Sequence, residues 1–96
     1  MRTYRALPVS VQPRVTLSRW VFVQAVDRFY LVGWCLETRK ARVSTAVEEL
    51  DVHSMTVTTS SGRKYLLTGD PASKADAGWI ATAWHMAVDQ QGEDYH

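Results

Sequence analysis

The sequence predicts an α+β domain: an antiparallel meander of four to five strands, forming a curled sheet or small barrel, packed by one C-terminal amphipathic helix. Three observations predict it. Residues 55–68, MTVTTSSGRKYLLT, read as a β-hairpin. The segments before them alternate polar and apolar residues and are separated only by short polar breaks. After Pro71 the apolar period changes from two to that of a helix. The chain divides into an arm (1–13), a sheet (14–68), a helix (73–91) and a tail (92–96) within one domain.

In the arm, Pro8 and Pro13 bracket Val9–Gln12, which suits an extended or edge segment. Its first residues are expected to be mobile. Arg14–Val26 reads as a long strand. Val15, Leu17, Val21, Val23 and Ala25 form its core face, with Arg19 the exception. Trp20 and Phe22 make the other face partly apolar, so part of it is expected to be covered. Phe29–Glu37 is apolar on both faces, the pattern of a central strand buried on two sides. Gly33 within it marks a bulge, a bend or a close backbone approach.

Ala41–Leu50 is ambiguous. Val43, Thr45 and Val47 alternate as a strand does, while Ala46–Leu50 also fits a helical turn. The flanking strands favour the strand. Asp51–Ser54 turns the chain into the hairpin, whose runs Met55–Thr59 and Arg63–Thr68 flank Ser60-Ser61-Gly62. Gly62 supplies the positive φ that a short loop needs. No segment between strands is long enough for a crossover, so a parallel sheet is not expected.

Pro71 stops the last strand. Ser73 with Asp76 three residues on is a variant capping box. Trp79, Ile80, Ala83, Trp84, Ala87 and Val88 then form a stripe at helical spacing, laid on the open face of the sheet. Gln91-Gly92 is expected to end the helix.

Composition excludes several classes. The chain is 46% hydrophobic and 22% charged, which argues for a packed domain rather than disorder. One cysteine, Cys35, cannot form an intrachain disulfide and lies in an apolar run, so it is expected buried and inert in a reducing cytoplasm. The N-terminus lacks a signal-peptide apolar core, and no run approaches the length that spans a bilayer. Net charge is +1 but divided. Residues 1–42 carry eight basic and two acidic side chains (8 − 2 = +6), and residues 43–96 carry three and eight (3 − 8 = −5). Such a division suits a two-signed surface that docks partners.

The five glycines match no phosphate-binding loop, and no spacing of Cys or His matches a zinc site, so no cofactor or metal is expected. His85 and Asp89 stand at i and i+4 and can touch, but as a surface pair with no assigned nucleophile. His53 falls in a turn and His96 at the terminus. Glu48 and Glu49 are neighbours on a strand and point to opposite faces, so with Asp51 they form a solvated acidic stretch rather than an ion site. Glu93-Asp94 falls in the tail. No catalytic constellation is assigned, and the chain is read as a non-enzyme.

The candidate contact residues are charged. Arg39, Lys40 and Arg42 cluster at one turn, Arg63 and Lys64 follow the hairpin loop, and Glu48, Glu49 and Asp51 supply the opposite sign. The two basic clusters would contact phosphates if they met on one rim, which makes a nucleic-acid-binding barrel or accessory regulator the alternative function. Near-neutral net charge and few interleaved aromatics disfavour it. Protein–protein contact is the favoured reading: Arg outnumbers Lys eight to three, and Arg and Trp anchor interfaces. An open sheet edge beside Trp20 would also suit a homodimer.

The string VTTSSGRKYLLTGDP, Val57 to Pro71, followed by the helix bearing Trp79 and Trp84, resembles small uncharacterised proteins of phages and other mobile elements. In those, a Thr/Ser-Gly-Arg hairpin is likewise followed by a Gly-x-Pro break and an aromatic helix. The likeness covers the C-terminal part of the chain from Val57 and does not extend to residues 1–42. It implies a bacterial host protein or nucleoprotein complex as partner and an inhibitory role of the anti-CRISPR kind, and it carries over no catalytic residues.

Overall fold

The computed structural model describes residues 14–94, with side chains through 88. The expected arm, the tail residues 95–96, and the side chains of Asp89, Glu93 and Asp94 lie outside the described residues. Five strands run in chain order: β1 Arg14–Ala25, β2 Arg28–Cys35, β3 Lys40–Asp51, β4 Thr56–Thr59 and β5 Lys64–Leu67. A 3-10 turn, Lys74–Asp76, leads into helix α1, Ala77–Asp94. The ambiguous segment is therefore strand throughout, and the hairpin loop holds Gly62 at φ 87° as its turn requires.

The strands close into a barrel in the order β1-β2-β3-β4-β5. Consecutive strands pair antiparallel. One pairing is parallel after all: Arg14–Leu17 of β1 against Lys64–Leu67 of β5. An up-and-down meander with an odd number of strands returns its last strand in the direction of its first, so no crossover is needed. The ring closes where an open edge was expected; the Thr68 and Ala72 amides continue along that side to the Leu17 and Trp20 carbonyls.

Inside the ring, Val15, Leu17, Leu31, Cys35, Val57, Tyr65 and Leu67 form the core, with Trp20, Phe22 and Val47 packed against it. This corrects the expected core face of β1. The register with β2 shifts by one residue between Ser18 and Val21, and Arg19 sits at φ 48°. One extra residue reverses which side chains face inward, so Trp20 and Phe22 turn to the core in place of Val21 and Val23. Gly33 faces this bulge, and a Cβ there would meet Leu17 Cβ and Cδ1 at 3.1 Å. Two further shifts fall in β3, at Ser44-Thr45 and at Glu48. At the first, the buried Ser44 hydroxyl accepts the Leu31 amide at 2.9 Å and so replaces a lost ladder partner.

The helix does not fill the mouth of the sheet; it lies outside the barrel over β2 and β3. Trp79 meets Trp34 edge to face at 5.8 Å, and Trp84 meets Tyr30 at 5.4 Å. Val32, between those two β2 residues on the same face, is fully buried, so the middle of β2, Leu31–Gly33, is covered on both sides, while Phe29 and Trp34 stay exposed and the expected two-sided burial does not extend to them. The helix also runs past Gly92 to Asp94. A glycine in helical conformation costs about 1 kcal/mol relative to alanine but does not by itself stop a helix.

Asp76 fastens the helix start. Its carboxylate accepts the Ser73 amide at 2.9 Å and hydroxyl at 3.2 Å, the Trp79 indole N–H at 3.0 Å and Arg19 Nη1 at 3.1 Å. The Ser73 backbone donor, then the Trp79 indole, then Arg19 hold its pKa down at about 2, although its desolvation works the other way.

Candidate functional site

The register of β3, β4, β5 and β1 builds two rows of side chains across the outer surface of the barrel. Glu49 pairs with Thr58, Thr58 with Lys64, and Lys64 with Arg14. Two residues along, Asp51 pairs with Thr56, Thr56 with Leu66, and Leu66 with Thr16. All eight, with Val15 and Ser54, line one open groove that encloses about 440 Å3. Three strand spacings separate the β3 end from the β1 end, about 14 Å.

The two ends carry opposite charge. Glu49 and Asp51 stand on β3, Lys64 and Arg14 on β5 and β1, and hydroxyls from Thr58 and Thr56 lie between. Lys64 Nζ donates to Thr58 Oγ1 at 3.0 Å, which aims the ammonium across the groove. Asp51 Oδ1 accepts the amides of His53 at 3.0 Å and Ser54 at 3.4 Å, a side-chain-capped turn that fixes the acidic end. Among the described residues, no ion pair joins either carboxylate to Arg14 or Lys64. Leu66 is 45% exposed at the floor of the groove.

The charged residues singled out in the sequence separate here. Glu49, Asp51 and Lys64 come together in the groove. Glu48, at the β3 bulge, is exposed beside it but is not part of its lining. Arg39 and Lys40 are exposed at the β2–β3 turn. Arg42 and Arg63 correct the expectation of a surface role: they are 3% and 6% exposed. Arg42 lies opposite Gly33, where no side chain competes for the interior, and its guanidinium stacks over the Tyr65 ring at 5.7 Å. Sequence reasoning missed Arg14 and Thr16. They join the site only through the β1–β5 seam, for which the sequence carries no local signal.

Other reactive groups stand apart. Cys35 is buried, and its thiol donates to Glu37 Oε1 at 3.5 Å. Burial pushes the Glu37 carboxyl up, but the Thr16 amide, which donates to both its oxygens, brings it below its usual 4.5. His53 is exposed in its turn, as expected, and His85 is exposed on the helix. Among the described residues, no three of His, Cys, Asp and Glu gather as a metal set, and no helix is long and apolar enough to cross a membrane.

Near the acidic end, the β3–β4 tip presents Leu50, Val52 and Met55, with Val52 65% exposed. No family model, no curated protein and no solved structure matches the chain.

Proposed function

We propose that this chain is a non-enzymatic protein-binding module that seats its partner in the two-signed groove. The observation that carries the reading is the pair of registered rows, from Glu49 and Asp51 to Arg14 and Lys64, with hydroxyls and one apolar side chain between. Such a surface offers each charge of a partner an opposite one and penalises a reversed approach, which supplies specificity. The resemblance to phage and mobile-element proteins adds a bacterial host protein as partner, with inhibition by contact as the outcome.

A photo-crosslinking residue at Thr58 tests this in bacterial lysate. A discrete protein adduct is expected, lost in Glu49→Lys and in Lys64→Glu but kept in Arg39→Glu. An adduct indifferent to the groove variants overturns the proposal. So does salt-sensitive retention of DNA or RNA that depends on Arg39 and Lys40, which would establish the nucleic-acid reading instead.

A further inference from the structure

We infer that the barrel end bearing the β1–β2 and β3–β4 tips docks a partner segment in which apolar side chains are flanked by lysine or arginine. The inference rests on the protein-binding reading and names the chemistry of the partner. In an up-and-down ring alternate turns fall at the same end, so the turn at Val26-Asp27 and the turn at 52–55 share one end of the barrel. The core runs out to the surface there. Phe29 stands two residues before the buried Leu31 on the inward side of β2, and Leu50 pairs with the buried Val57, yet they are 49% and 43% exposed. Val52 and Met55 carry the patch across the second tip. The helix adds to it. Its stripe meets Trp34 through Trp79 and Tyr30 through Trp84, so Val88, one turn further on, reaches the same end of β2 and is exposed. Apolar side chains gathered in this way mark a docking surface, whereas scattered ones do not.

Val26 adds an independent observation. It is 98% exposed at φ 60°, a conformation that a β-branched residue rarely adopts. Its side chain makes no packing contact that offsets the strain, and burial against a partner would supply one. Charge then selects the occupant. Within residues 26–29 and 48–55, Asp27, Glu48, Glu49 and Asp51 are exposed and the single Arg or Lys is Arg28, a net charge of 1 − 4 = −3. Basic flanks are attracted to such a rim. A nucleic acid or an anionic bilayer is repelled, and a second copy presenting the same end sets acid against acid. Glu49 and Asp51 also line the groove, so one partner can meet both surfaces.

The probe is a two-heptad amphipathic peptide of leucine and lysine, titrated into the isotope-labelled full chain and followed by amide chemical shifts. Shifts at 26–29 and 48–55 are expected, with affinity at least about tenfold weaker when glutamate replaces the lysines or serine the leucines. Val26→Asn with Val52→Ser should weaken binding by a similar factor, and so should Glu48→Lys, which lies outside the groove lining. All three positions are exposed, and the dispersed spectrum verifies the fold. Val26→Asn separates docking from structure, because it relieves the strained turn and still loses affinity. Equal affinity for the glutamate peptide, or unchanged affinity in these variants, overturns the inference. So does the same set of shifts on adding phosphatidylcholine vesicles, or on raising the concentration of the protein alone, which would make the occupant a bilayer or a second copy. If the leucine–lysine peptide fails to shift these residues while the Thr58 adduct persists, the apolar docking surface falls and the binding module stands.

Discussion

Arg19 Nη1 lies 3.1 Å from Asp76 Oδ1, an ion pair that joins the bulge of β1 to the first turn before the helix, 57 residues further along the chain. Arg19 is the residue that breaks the alternation of β1, and its side chain leaves the barrel because the bulge puts it at φ 48°. The same local irregularity thus turns Trp20 inward and sends a cation out to meet the cap.

Asp76 makes helix docking sensitive to acid. Its pKa of about 2 lies below the ordinary 3.8, so its contribution to stability is complete above about pH 4 and is lost as pH falls through about 2. The Trp79 indole N–H, which donates to Asp76, reports this directly. Its exchange protection should fall in that window, and Asp76→Asn should remove the transition. A midpoint near 4 would mean that the carboxylate is not held.

Gly33→Ala should destabilise the barrel by about 1–3 kcal/mol, the usual range for overpacking. The new methyl would stand 3.1 Å from Leu17 Cβ and 3.3 Å from the Ser18 carbonyl oxygen. Leu17 is fully buried and has no room to withdraw. Urea denaturation measures the change, and an unaltered midpoint would show that the bulge yields instead.

Val26→Asn should stabilise the protein by about 1 kcal/mol, since left-handed backbone disfavours a β-branched residue and tolerates Asn. Val26 has φ 60° and is 98% exposed, so its side chain contributes no packing to lose. A lower melting temperature in the variant would reject this account of the β1–β2 turn.

Arg39→Glu and Arg42→Glu should differ sharply although the residues are three apart. The first changes an exposed turn and should shift stability by no more than about 0.5 kcal/mol. The second places a carboxylate beneath the Tyr65 ring in the barrel interior and should abolish the dispersed spectrum of the folded chain. Equal behaviour of the two variants would contradict the inward placement of Arg42.

The parts of this fold that are legible in sequence are those set by local chemistry. Ser60-Ser61-Gly62 between two strand-like runs, Pro71 before Ser73 and Asp76, and the Trp79–Val88 stripe each act within a few residues. The middle of β2 is legible as well, because covering of Leu31–Gly33 on both faces goes with a continuous apolar run. The bulge at Arg19 is not, since nothing in residues 14–25 distinguishes it from an ordinary alternation with one charged exception. The groove is half legible. Glu49, Asp51 and Lys64 stand out by charge, but only strand register brings them to one face and adds Arg14. Arg42 and Arg63 mislead for the converse reason: alternation within a closed ring turns them inward, and basic side chains near turns otherwise signal a surface.

The parallel seam has a consequence for how the molecule is made. Arg14 and Lys64 are neighbours in space and fifty positions apart in the chain, and contacts of such separation form late in folding. While the chain is being synthesised, four strands can zip hairpin by hairpin, but β1 keeps a bare flank until residues 64–67 have left the ribosome. The last strand is therefore the clasp of the ring, and half of the groove comes into being only when it shuts.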